Sequence, residues 1–128
     1  MRIAGVGCRS NVSAEAVIAA VDAALAALGL TRTALDGLAT VPLKAGEPAL
    51  HDAARTLGLP LLVSDQILLD SAAPRTLTRS SASLAATGTP SACESTALAA
   101  AGPDARLLGP RLVLGQVTCA IAVTAEPT

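Results

Sequence analysis

The spacing of hydrophobic positions changes several times along the chain, and each change marks an element. Arg2 to Gly7 is a short apolar run closed by glycine, which predicts a buried strand. Ser13 then stands where an N-cap belongs. Apolar residues recur at helical spacing through Val17, Ile18, Val21, Leu25 and Leu28, and Gly29 follows as a cap, so a helix is predicted from Ala14. Gly37 to Val41 is a second strand, ended by Pro42, which has no N–H for a central ladder. A polar loop from Lys44 to Pro48 leads into a helix from about Ala49 to Leu57. Pro48 sits in its first turn, where a missing N–H costs nothing, and Gly58 caps its other end.

Pro60 to Val63 is a third, short strand, and Ser64 or Asp65 caps a brief helix through Leu69. Ser71 to Pro90 is rich in Ser, Thr and Ala, carries Arg75 and Arg79 and has no acid. It reads as a mobile connection holding a short helix near Ser81 to Ala86. Ser91-Ala92-Cys93-Glu94 has the spacing of a capping box, with Ser91 as N-cap and Glu94 at N3, and predicts a helix to Ala101 that Gly102-Pro103 stops. Ala105 to Leu108 and Gln116 to Val123 are the last strands. The link between them, Gly109 to Gly115, is too short for a crossover helix, so this pair is expected to be antiparallel. The order β-α-β-α-β-α-α-β-β predicts one domain over residues 1–128. Its expected architecture is a three-layer α/β/α sandwich with a mixed, mostly parallel sheet of about five strands. Ligands of such sheets bind outside the carboxyl ends of the strands, which places Gly7 to Asn11 and Lys44 to Glu47 side by side on one edge.

Composition narrows the picture. Apolar residues make up 52% of the chain, yet Phe, Tyr and Trp are absent, so the core must be built from Ala, Leu, Val and Ile. Such a core depends on the close approach of thin helices rather than on large rings. A net charge of −1 argues against a nucleic-acid partner, and the missing aromatics remove the platforms that stack single-stranded bases. Cys8, Cys93 and Cys119 are odd in number and far apart, as expected of reduced thiols in the cytoplasm. With His51 as the sole histidine, no metal-ligand spacing exists, and neither metal nor cofactor is expected. The N-terminal apolar run is too short for a signal peptide. Ala14 to Leu30, which carries Glu15 and Asp22, is too short and too charged for a membrane span.

Four groups of residues carry candidate chemistry. Gly5-Val6-Gly7-Cys8-Arg9-Ser10 nearly matches the dinucleotide fingerprint, whose backbone N–H groups hold an anion at a helix start. It lacks the third glycine, and Asp36 precedes the second strand instead of ending it. The structural alternative is a tight turn that needs glycine. Cys8 would be a nucleophile if a helix N-terminus lowered its pKa, and otherwise a small half-buried residue. Lys44 at a strand end suits an acidic substrate, Glu47 is a candidate base, and His51 shares a helix face with it. The alternative gives Glu47 to the helix dipole and His51 to solvent. Arg9, Arg75 and Arg79 would suit a polycarboxylate, or form a solvated face.

Taken in order, Gly5-Val6-Gly7-Cys8-Arg9, Ser13-Ala14-Glu15, the run from Ala39 to Leu50, Ser91 to Leu98 and the closing strand Gln116 to Val123 resemble the CobE/CbiG C-terminal domain family of cobalamin (vitamin B12) biosynthesis. The likeness covers nearly the whole chain, and the pairing of G-x-G-C-R with L-K-x-x-E-P is its most specific part. The chain departs from the family where Asn11 replaces the usual glycine and Pro42 the usual acid. Asn tolerates the left-handed conformation best after glycine, so the turn at Asn11 is expected to survive. The resemblance implies two activities. CbiG-like proteins open a ring lactone on a cobalt-precorrin and release a two-carbon aldehyde. CobE-like proteins are expected to bind a late corrin intermediate of the aerobic route or to hand it between enzymes. A chain that opens on its own first strand is expected to be the stand-alone, CobE-like form. Its implied partners are a corrin or precorrin intermediate and other cobalamin-pathway enzymes. Its ligand-binding candidates are Gly7, Cys8, Arg9, Lys44, Glu47, Ser91 and Glu94, with Glu47 as catalytic base if a precorrin lactone is hydrolysed. A nucleotide-binding α/β domain is the remaining alternative.

Overall fold

The computed structural model describes residues 1–78 and 91–124. Strand β1 (Arg2–Cys8) lies in the middle of the sheet, where small apolar residues on both faces suit burial under helices from either side. Strand β2 (Gly37–Thr40) pairs with it in parallel, Ile3 opposite Gly37, and β3 (Leu61–Val63) extends the sheet in parallel, Leu38 opposite Leu61. On the other side β6 (Val117–Thr124) runs antiparallel to the whole of β1, from Arg2 opposite Val123 to Cys8 opposite Val117. The free edge of β6 takes two short strands, β4 (Ala105–Leu107) along one half and β5 (Leu112–Leu114) along the other, both antiparallel.

The sheet is therefore mixed, as expected, and the antiparallel pair at the end of the chain is present. Two details differ. The described residues form six strands, because the link between β4 and β6 itself supplies β5 across from Cys119, Thr118 and Val117. Parallel pairs are the minority, since β6 alone makes three antiparallel pairings. A long return strand beside β1 replaces what a crossover would have made parallel.

Helices cover both faces. Helix α1 (Ala14–Ala27) and helix α2 (Pro48–Leu57) pack Val17, Val21, Leu25 and Leu50 against Val6, Leu38, Val117 and Ile121. Helix α3 (Gln66–Ala72) and helix α4 (Ala92–Ala101) pack Ala72, Ala97 and Leu98 against Ile3, Ala39 and Ala122 on the opposite face. The caps follow the sequence. Ser13 Oγ accepts the Ala16 N–H at 3.1 Å, and Asp65 accepts the Leu68 N–H at 3.0 Å. Beyond α1, Gly29 (φ +70°) lets its own N–H and that of Leu30 reach the Ala26 and Leu25 carbonyls, a Schellman closure.

The glycines of β1 have a different purpose from either one expected of them. Neither Gly5 nor Gly7 has a positive φ, and both lie within the strand, so no tight turn and no phosphate loop needs them. Helix α4 lies directly on Gly5. A Cβ there would collide with the Cys93 carbonyl oxygen and come within 2.8 Å of the Ala97 backbone nitrogen and Cβ. The fingerprint-like glycines thus serve helix-to-strand packing.

The capping box is also replaced. Ser91 makes no side-chain cap bond, and Glu94 turns inward instead of back to the helix start. Its buried carboxylate accepts the Thr78 N–H (2.9 Å), the Thr78 hydroxyl (2.7 Å) and the Arg111 N–H (3.2 Å). A carboxylate removed from water needs several donors, and two passing loops supply them. The expected mobile connection is accordingly ordered through Thr78. Helix α3 runs to Ala72, a 3-10 turn spans Ala73–Arg75, and Thr78 is tied to Glu94. The helix expected near Ser81 to Ala86, and Arg79, lie outside the described residues.

These contacts set the expected cost of three substitutions. Gly5→Ala is expected to cost about 3 kcal/mol in urea unfolding, because backbone must move to admit the methyl group. Gly7→Ala is expected to cost less, since its Cβ meets the Thr118 hydroxyl, a side-chain atom able to rotate away. Glu94→Gln places an amide N–H₂ against donors and is expected to cost about 2 kcal/mol by the same measurement. An unchanged midpoint in Glu94→Gln would remove the clamp.

Candidate functional site

β1 and β2 are adjacent and parallel, so the segments leaving their carboxyl ends emerge side by side. β1 ends at Cys8, and residues 9–13 lead into α1. β2 ends at Thr40, Pro42–Lys44 form a 3-10 turn, and Glu47 precedes Pro48 at the start of α2. Two bonds lock the segments together. Lys44 Nζ donates to Ser10 Oγ at 3.2 Å, and the Asn11 N–H donates to Glu47 Oε1 at 3.2 Å. Asn11 is in the left-handed region (φ +67°), the one non-glycine residue among those described to be so. Asn in place of glycine therefore keeps the turn, as expected.

The remaining candidates separate into those at this edge and those elsewhere. Arg9 is exposed, and its N–H donates to the Gln116 carbonyl at 3.2 Å, which joins the β5–β6 turn to the same edge. Cys8 is half-buried beside Lys44 and Glu47. Burial pushes its thiol up, Lys44 opposes that, and Glu47 reinforces it. Cys8 ends a strand and does not open a helix, and the net upward direction is opposite to the lowering that an activated nucleophile there would need. Gly7 lies just below, with its carbonyl accepting the Thr118 hydroxyl at 3.3 Å. His51 is exposed and hydrogen-bonds the Ala45 carbonyl, which fastens the Lys44 loop to α2.

Ser91 and Glu94 are wholly buried, so neither presents a side chain at the edge. Ser91 Oγ lies 3.8 Å from Cys93 Sγ, whose thiol burial pushes up, and Glu94 is occupied by its two loops. Arg75 is also elsewhere: its guanidinium donates to the Pro103 and Ala105 carbonyls at 3.1 and 2.8 Å and braces the start of β4. Among the described residues no group of His, Cys, Asp and Glu is arranged to hold a metal ion, and no helix is long and apolar enough to cross a membrane.

Sequence reasoning missed the wall of this edge. An open cleft of about 480 Å³ runs between the first turns of α1 and the β5–β6 turn, lined by Val12, Ala16, Ala19, Leu114 and Gln116. Leu114 and its neighbour Val113 are exposed. The signal was the run Leu112-Val113-Leu114 inside what was expected to be a plain link. The edge thus offers two cations, one carboxylate and an apolar wall, a combination suited to an amphipathic anion with several acid groups.

Comparison with known proteins agrees with this architecture. The profile of the family described as cobalamin synthesis G C-terminus matches residues 2–122. A protein named CobE from Sinorhizobium sp is 33% identical over 120 residues, covering 94% of this chain and 78% of its own. The crystal structure of CobE, described as a protein from the cobalamin biosynthetic pathway, superposes with a TM-score of 0.90 at 35% identity, covering 95% of this chain and 89% of that one. The crystal structure of the cobalamin biosynthesis protein chiG from Agrobacterium tumefaciens is 50% identical, with a TM-score of 0.79 over 98% of this chain and 100% of that one. With sequence and fold in agreement along almost its whole length, the chain belongs to the CobE/CbiG C-terminal family of cobalamin biosynthesis proteins.

Proposed function

We propose that this protein binds a corrin or precorrin intermediate on the edge formed by residues 8–11 and 44–47, and hands it to another enzyme of cobalamin biosynthesis in the cytoplasm. The observation that carries the reading is the locked pair of loops, Lys44 to Ser10 and Glu47 to Asn11, beside the apolar cleft of Val12, Ala16 and Leu114. Corrin intermediates carry acetate and propionate groups around an apolar macrocycle. Arg9 offers a bidentate donor for a carboxylate, Lys44 a point charge, and the aliphatic cleft a surface for the ring face. Because the loops are bonded to each other in advance, little ordering cost is left for the ligand to offset. The three free cysteines support a reducing compartment.

One observation favours hydrolysis as a second reading. Glu47 Oε1 is held by the Asn11 N–H, so the carboxylate is oriented at the edge beside Lys44 as a general base would need to be. In this reading Glu47 takes a proton from water as the water attacks a lactone carbonyl.

Titration with hydrogenobyrinic acid, followed by corrin absorbance, tests the site. A saturable spectral shift is expected, weakened about tenfold in Arg9→Ala and in Lys44→Ala. Undiminished binding in both variants would remove the site from this edge. Product analysis with a lactone-bearing precorrin as ligand then separates the two readings. Turnover by the protein alone, lost in Glu47→Gln, supports the hydrolase, and unchanged ligand recovered from both proteins supports the carrier.

A further inference from the structure

The opposite end of the sheet holds a second hollow, which is independent of the corrin-binding reading. It has a volume of about 620 Å³, within the usual range for small-molecule sites. Leu28 and Leu30, just past the end of α1, line it together with Leu108, Val123, Thr124, Arg2 and Arg106. Arg2 lies opposite Val123 on β1, and Arg106 lies opposite Val123 on β4. Directly opposed residues point to the same face, so both arginine side chains flank Val123 on the α1 side of the sheet. Their Cα atoms are two strand spacings apart, roughly 10 Å.

Both guanidinium groups lack a protein anion among the described residues. The ion pairs there are Arg32 with Asp22 and Arg55 with Asp52. Asp36 accepts the backbone N–H of Arg2 at 2.8 Å and makes no ion pair with its guanidinium. The arginines are not needed to close α1 either, because the Leu25 and Ala26 carbonyls are already bonded by the N–H groups of Leu28, Gly29 and Leu30. Two cations with no anionic partner among the described residues therefore line a hollow whose other lining residues are Thr124 and four aliphatic side chains.

We infer that this hollow binds a small organic monocarboxylate with an apolar body. Arg2 and Arg106 hold the carboxylate, and Leu28, Leu30, Leu108 and Val123 cover the chain. The C-terminal end of α1 beside it carries partial negative charge, which disfavours a dianion such as phosphate.

The test uses the ¹⁵N-labelled full chain titrated with octanoate, followed by amide shifts of Leu30, Arg106 and Thr124. Saturable shifts at these amides are expected. Affinity should fall about tenfold in Arg2→Gln and in Arg106→Gln and stay unchanged in Arg55→Gln, with amide spectra confirming that each variant is folded. Octan-1-ol and inorganic phosphate should each bind much more weakly than octanoate. The inference is overturned by absence of a saturable octanoate shift, by equal binding of octan-1-ol or phosphate, or by undiminished binding in the Arg2→Gln/Arg106→Gln double variant.

Discussion

The contact between α4 and Gly5 is the constraint on which the other features of this molecule depend. Without aromatic rings, burial has to come from bringing thin elements close together. Helix α4 meets this need by presenting Cys93, Ala97 and Ala101, all small and buried, to the side of the sheet that carries Ile3 and Ala39. At Gly5 the approach leaves no room even for a methyl group. A helix seated this deeply has almost no solvent face, which explains why Glu94, Ser95 and Thr96 are buried along with its apolar residues.

Burying polar side chains is tolerable only if each is satisfied, and here they act as ties. Thr96 donates to the Thr40 carbonyl at 2.9 Å, Thr40 to the Val6 carbonyl at 3.2 Å, and Thr124 to the Ala101 carbonyl at 2.6 Å. Among the described residues no buried side-chain polar atom lacks a partner. Several of these ties meet the ends of β1 and β2, directly beneath the candidate edge. The loops carrying Arg9, Lys44 and Glu47 therefore rise from strand ends that the core holds still, and the cross-loop bonds add to that rigidity. A site built this way has its charged groups placed before a ligand arrives.

Cations are used differently across the surface. Arg32 and Arg55 pair with acids, Arg75 braces carbonyls, and Lys44 joins two loops. Arg9 is exposed at one end of the sheet, and Arg2 with Arg106 line the hollow at the other. That distribution separates guanidinium groups with a protein partner from those without an anionic one among the described residues.

The chain's local chemistry was legible without coordinates. Ser13, Asp65, Gly29, Gly58 and Pro48 each act through neighbours a few residues away, so caps and helices fall where the pattern puts them. The adjacency of the Cys8–Asn11 and Lys44–Glu47 segments was legible too, because parallel neighbouring strands release their loops at the same edge. What stayed hidden depends on partners distant in sequence. Gly5 and Gly7 look like a nucleotide turn until α4, about 90 residues on, is seen lying on them. Glu94 has capping-box spacing, yet Thr78 and Arg111 draw it inward. The six-strand count rests on Leu112–Leu114 finding the free edge of β6. Short-range propensity chooses the elements, whereas the need to pair buried backbone and buried charge is met only by residues that the fold brings together.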